Sequence, residues 1–203
     1  MTSRSRITQT NICICSYSTI DRKDMCYVTN YTKTKFCKLY NIPYEFVVIE
    51  HTNKHAAWYK IDCILSLFDK YNAVYFIDDD AGFCNYSTNI FDLIDLNKDL
   101  VIAKINDVTN TGSFYLKKSD KSIAALKFAS TLYEKYKNDP FYEQTALVKS
   151  FDKFKLDTQF VDDVIFNASV FNKTSDTIIL HLMGILKNIV NREYLLKAFN
   201  ISF

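Results

Sequence analysis

Residues 73–83 read AVYFIDDDAGF, an apolar run from Ala73 to Ile77 that ends in three consecutive carboxylates, Asp78, Asp79 and Asp80. Unbroken apolar character over so short a run, without alternation, predicts a strand covered on both faces, as in a parallel sheet. Adjacent like charges at the edge of a core repel one another and lose solvent, so the acidic run calls for something positive beside it or for an exposed turn. A metal ion, a basic side chain and water are the three candidates.

The pattern around this strand sets the fold class. Upstream, NICICSYS (11–18) reads as a strand, 21–41 as a helix with Asp21 as its expected N-cap, YEFVVIE (44–50) as a second strand and AAWYKIDCILSLFDKY (56–71) as a helix. Strand, helix, strand, helix, strand predicts an α/β architecture, a mainly parallel sheet flanked by helices. In such sheets ligands bind outside the carboxyl ends of the strands, where Ser16, Tyr17 and the acidic run all fall. Downstream, 99–105 and 112–118 look like strands, 121–136 and 143–154 like helices, and TIILHL (177–182) like a late strand before a terminal helix. That half reads as α+β.

Composition narrows the setting. The 203 residues are 48% hydrophobic and 15% aromatic, enough for one substantial core, and with only 3 Gly and 2 Pro no linker or repeat marks a boundary. The expectation is a single domain over 1–203, with a nucleotide-binding part over about 1–105 and an acceptor and closure part over about 106–203. A formal charge of +2 leaves no footprint for nucleic acid or an anionic membrane. No segment approaches the ~20 apolar residues of a membrane span, and the N-terminus lacks a signal-peptide pattern, so a cytoplasmic protein is expected. The 6 cysteines have no metal-ligand spacing and read as reduced packing residues; the Asn-x-Ser/Thr sequons, Asn85 and Asn167 among them, read as chance matches.

Two motifs carry chemistry. Asp78 and Asp80 form an Asp-x-Asp pair able to share a hard divalent cation whose remaining ligands are phosphate oxygens and water, although a solvated acidic turn has the same sequence. HLMGILK (181–187) supplies an imidazole for a borderline cation, a glycine for close backbone approach and a lysine as a point charge for phosphate: His181, Gly184 and Lys187. A strand-end histidine and a solvated helix lysine explain the same residues taken singly.

Together with NTGSFYLKKS (110–119) and YEQTAL (142–147), these segments resemble the GT-A-fold glycosyltransferases. The Trp-x-Lys helix before the acidic strand, the Asn-x-Gly-x-Phe segment and the acidic-Gln-x-Ala-Leu segment are similar to family 34, the galactosyl- and xylosyltransferases. The His-x-x-Gly-x-x-Lys closure is similar to the retaining family 8 enzymes. The resemblance spans nearly the whole chain. It implies that Asp78, Asp80 and His181 hold Mn²⁺ (or Mg²⁺) against the diphosphate of a UDP-sugar. Lys187 would contact that diphosphate, with Ser16, Tyr17, Lys60, Asp79, Asn110, Gly112 and Gly184 also on the donor. Glu143 and Gln144 would face the anomeric carbon as the catalytic pair, where a carboxylate or an amide oxygen could stabilise an oxocarbenium-like centre.

The sequence makes two departures from the family's usual pattern: no signal anchor or stem is expected, and Glu143 stands where Asp is usual. With the Asn, Ile, Lys and Tyr bias, these departures resemble a capsid glycosyltransferase of a large algal DNA virus, acting in the host cytoplasm on a glycan or glycoprotein acceptor. Two other functions fit the acidic run: a metal-dependent nucleotidyl or phosphoryl transferase, for which no Gly-rich phosphate loop is present, and a non-catalytic carbohydrate-binding protein.

Overall fold

The computed structural model describes residues 11–50, 53–105, 108–183 and 192–201. At its centre lies β1 (Ile12–Thr19), buried along its whole length because it has a strand on either side and apolar layers on both faces. After a 3₁₀ turn at Ile20–Arg22, α1 (Lys23–Tyr40) returns the chain to β2 (Tyr44–Ile49); the turn occupies the position expected of the Asp21 cap. Next come a 3₁₀ turn at Ala56–Trp58, α2 (Tyr59–Leu67) and β3 (Ala73–Ile77), the last with the bounds predicted. Both β2 and β3 pair in parallel with β1, as the alternating sequence pattern requires.

Beyond β3 the sheet becomes mixed. A short β4 (Ala81–Phe83) leaves it, and β5 (Leu100–Ile105) and β6 (Val108–Lys117) follow, β6 antiparallel to both β3 and β5. Then come α3 (Asp120–Thr131), α4 (Tyr133–Tyr136), α5 (Glu143–Lys153), β7 (Thr158–Asp162), α6 (Asp163–Phe166), β8 (Ile179–His181) and α7 (Arg192–Ala198). The six-stranded sheet has the order β2-β1-β3-β6-β5-β7, and β4 and β8 form a second, two-stranded sheet.

Strand alternation sorts the core into two layers. Cys13, Cys15, Val74, Phe76, Phe114 and Leu116 face α2, α3 and α5 through Trp58, Ile61, Leu126 and Leu147. Their neighbours Ile12, Ile14, Tyr75, Ile77 and Tyr115 face α1 and the loops through Phe36, Phe83, Phe91 and Phe166. Where α1 crosses β4 the backbones leave no room for a side chain: a Cβ on Gly82 would lie 2.3 Å from Thr32 Oγ1. All six cysteines are free, as the sequence suggested. No helix among the described residues is long and apolar enough to cross a membrane.

Candidate active site

The site forms where β3 stops. Asp78 N still donates to Gly112 O on β6 (2.8 Å), and Ala81 N donates to Asp78 O (3.1 Å), so the acidic run is a tight turn leading into β4. Antiparallel pairing of β4 with β8 puts Ala81 opposite His181, and Leu182 N donates to Asp80 O (2.9 Å). A histidine 101 residues away in sequence is thereby set against the turn: His181 Nε2 lies 3.1 Å from Asp80 Oδ1 and 3.9 Å from Asp78 Oδ2. One ligand atom from each of Asp78, Asp80 and His181 falls within 4.8 Å of the others. Two carboxylates and an imidazole converging at that spacing could hold a divalent cation.

Protein cations also meet the three carboxylates, which answers the question raised by the sequence. Arg22 makes a two-pronged pair with Asp79 (Nε–Oδ2 2.6 Å, Nη2–Oδ1 2.7 Å) and reaches within 3.6 Å of Asp80 Oδ2. Lys60 Nζ lies 3.1 Å from Asp78 Oδ1 and 2.6 Å from Glu143 Oε1, and it donates to Thr111 O at 2.9 Å. Burial opposes the Lys60 charge, but Asp78 and Glu143 outweigh it and hold its pKa above the usual lysine value. Burial also pushes the Asp78 carboxyl up to about 6, with Lys60 pulling the other way and Asp80 adding to the rise. For His181, burial disfavours the charged ring and Asp80 restores it, leaving its pKa raised.

The cleft above these groups holds about 130 Å³ and is lined by Tyr17, Arg22, His55, the acidic run, Tyr142 and Glu143. Tyr142 adopts φ 47° and ψ −121°, backbone space that a residue with a Cβ seldom enters, and its ring stacks on His55 at 3.9 Å across the rim. A larger apolar hollow of about 300 Å³ between α1 and β2 contains none of the acidic residues. Reactive groups therefore belong to the smaller cleft.

Several residues expected on the donor have internal partners. Ser16 is fully buried, its hydroxyl accepting from Lys33 Nζ (2.8 Å) beneath the turn. Tyr17 lines the cleft, but its hydroxyl donates to Ala56 O and Ala57 O (2.9 and 3.0 Å) and so anchors the turn before α2. Lys60, 1% exposed, is an ion-pair hub at the cleft floor, not a surface lysine. Asp79 faces Arg22, away from the Asp78–Asp80–His181 cluster. Gln144 Oε1 accepts from Thr111 N (3.0 Å) and Asn110 Oδ1 from Gly112 N (2.7 Å), both stitching β6. At Gly112 a Cβ would lie 2.2 Å from His181 Cε1, so this glycine makes room for the imidazole. Gly184 and Lys187 lie outside the described residues.

Arg22, Lys33 and Asn167 escaped the sequence reading, as did His55 and Tyr142 at the rim. Arg22 gave no signal, being one basic residue of a turn. Lys33 did give one, since it shares a helical face with Thr29, Phe36 and Cys37. Asn167 was concealed within a sequon, yet it is fully buried, with Oδ1 3.0 Å from His181 Nδ1.

No family model matches the chain, and no curated protein matches it in sequence. Solved structures do. A glycosyltransferase involved in the glycosylation of the major capsid of PBCV-1 is similar with a TM-score of 0.70 at 16% identity, over 93% of this chain and 98% of that one. The chain has a GT-A glycosyltransferase fold. The galactosyltransferase LgtC, solved with donor and acceptor sugar analogues, is similar with a TM-score of 0.58 at 11% identity, over 92% of this chain and 95% of that one. The catalytic domain of Drosophila β1,4-galactosyltransferase 7 gives 0.55 at 12% identity, over 91% and 73%. The GT-A architecture expected from the motifs is thus the one observed.

Proposed function

We propose that this protein is a metal-dependent glycosyltransferase that moves a hexose or deoxyhexose from a UDP-sugar to a glycan acceptor with retention at the anomeric carbon. The observation that carries the reading is the convergence of Asp78, Asp80 and His181 at the strand ends of a GT-A fold, with Glu143 held beside them by Lys60. A divalent cation bound by those three ligands supplies positive charge that stabilises a departing diphosphate.

The chain's own groups account for the remainder. Lys60 orients the carboxylates of Asp78 and Glu143 at the cleft floor, so negative charge is already in place where an oxocarbenium-like centre develops, without reorganisation during the reaction. Because the Gln144 amide oxygen is bonded to Thr111 N, Glu143 is the better placed stabiliser or nucleophile, and Gln144 supports it by fixing α5 to β6. The capsid role of the PBCV-1 enzyme supports a viral glycoprotein as acceptor.

Incubation with UDP-hexoses and Mn²⁺, following free UDP, tests the reading. Slow UDP release is expected even without acceptor, and Asp80→Ala should abolish it while leaving the fold intact. Tight sugar binding without turnover would overturn the proposal in favour of a carbohydrate-binding protein. NMR of the product anomer tests retention, and an inverted product would remove Glu143 from the role given to it.

A further inference from the structure

We infer that Asn167 is the positioning residue for His181, accepting the Nδ1 proton so that the Nε2 lone pair is left for the cation. The inference rests on the metal reading of Asp78, Asp80 and His181. Its first support is geometric. Asn167 ends α6, and the next residue is clipped to the strand carrying the histidine: Ala168 N donates to Ile179 O (3.0 Å) and His181 N donates to Ala168 O (2.8 Å). Backbone bonds therefore set the separation of Asn167 and His181, and the amide oxygen ends 3.0 Å from Nδ1.

On another side, Gly112 lies so close to Cε1 that no Cβ fits, and Asp80 Oδ1 stands 3.1 Å from Nε2. A ring bounded in this way cannot turn. Both ring nitrogens face oxygen acceptors, Asn167 Oδ1 at Nδ1 and Asp80 Oδ1 at Nε2; a cation taken up at Nε2 replaces the proton there, and the asparagine oxygen keeps the other proton on Nδ1. Turned the other way, the amide would offer N–H to Nδ1 and leave the ring's proton on Nε2, the nitrogen whose lone pair the cation needs.

The second support is what the asparagine gives up. Its Nδ2 is buried with no hydrogen-bond partner, a desolvation penalty that an apolar residue of the same size would avoid. Folding alone does not favour an asparagine here; its contact with the imidazole does.

Titration calorimetry of Mn²⁺ binding, together with the melting temperature of the metal-free protein, tests the assignment. Asn167→Leu should raise the Mn²⁺ dissociation constant about 10- to 100-fold, the range for losing a partner that orients a ligand. Its metal-free melting temperature should change little, because the unpaired amide Nδ2 is gone while the buried Nδ1–H loses its acceptor. Asn167→Asp, which keeps an oxygen at the same atom, should bring the dissociation constant to within about threefold of wild type. A lower metal-free melting temperature with unchanged Mn²⁺ affinity would mean that Asn167 is structural only, and would overturn the inference. If Asn167→Leu does not fold, Asn167→Ser makes the same comparison, since its hydroxyl is too short to reach Nδ1; unchanged affinity there also overturns it. Asp80→Ala in the same titration separates the two readings. Should Asp80→Ala leave Mn²⁺ affinity intact, both fall; should it abolish binding while the Asn167 variants bind normally, only this inference falls.

Discussion

A single ammonium, that of Lys60, pairs with two carboxylates at the floor of the cleft, and its removal would strand both. Glu143 is 5% exposed and cannot recover water, so Lys60→Met is expected to cost about 3–5 kcal/mol, the scale of breaking a buried ion pair by deleting one partner. Urea denaturation at pH 7 measures this; a loss below about 1 kcal/mol would mean that water reaches the carboxylates after all. Gly112 makes the complementary point, that an absent side chain can shape a site. Placing a Cβ 2.2 Å from His181 Cε1 forces the ring away, and Gly112→Ala should destabilise by about 1–3 kcal/mol through overpacking. The displaced imidazole should also weaken Mn²⁺ binding at least tenfold in calorimetry, whereas unaltered binding would show that the ring tolerates movement. Neither residue's role could be read from sequence spacing, because Lys60 depends on Glu143, 83 positions away, and Gly112 on van der Waals contact with His181 from another strand.

Helix α1 supports the acidic turn from below. Its buried face presents Thr29, Thr32, Lys33, Phe36 and Cys37; Thr29 Oγ1 donates to Asp79 O (2.5 Å) and Lys33 Nζ to Asp78 O (2.7 Å). Burial lowers the Lys33 pKa to about 8, with Asp79 opposing the shift. Below pH 8 the lysine is charged in both folded and unfolded chains, and its desolvation weighs fully against folding. Between about 8 and the unfolded value of about 10.4, the unfolded chain holds the extra proton, so this group's contribution to stability rises with pH. The stability of wild type minus that of Lys33→Met should therefore increase by roughly 1.4 kcal/mol from pH 7 to pH 9, read from chemical denaturation at each pH. A flat difference would show that the lysine stays charged in the fold.

Elements were legible in sequence wherever both faces of a strand or one face of a helix are buried: β1, β3, α2 and α5 fall where apolar runs and helical spacing put them. Two were missed. Strand β7 is a sheet edge with Phe160 57% exposed, so it has no consistent apolar face, and the three residues of β4 carry too little pattern to separate from a loop. The helix expected over 121–136 is interrupted at Leu132, and the one over 56–71 opens with a 3₁₀ turn and ends at Leu67. The candidate cation ligands were readable because Asp78 and Asp80 come at the end of one apolar strand and His181 closes another; Asn167 and Arg22, which contact them, lie in segments with no periodicity.

At the scale of the whole molecule, the candidate cation site lies where the two sheets meet. Asp78 ends a strand of the large sheet, while His181 belongs to the two-stranded sheet packed against α1 and α7 through Leu180 and Phe199. An ion held by Asp78, Asp80 and His181 therefore ties the two sheets together, and it binds the native state alone because the unfolded chain places its ligands 101 residues apart. By mass action, Mn²⁺ at 100 times its dissociation constant should stabilise the fold by about 2.7 kcal/mol. For a chain of this size that corresponds to a rise in melting temperature of roughly 5–10 °C. On the proposed UDP-sugar reading, UDP added with Mn²⁺ should raise it further than ADP or GDP does. His181→Ala should lose the Mn²⁺ increment, with a smaller effect on the metal-free melting temperature. Differential scanning calorimetry across these conditions provides the check: a Mn²⁺ increment that survives in His181→Ala would place the ion elsewhere, and a larger shift with GDP than with UDP would reassign the donor nucleotide while leaving the metal site standing.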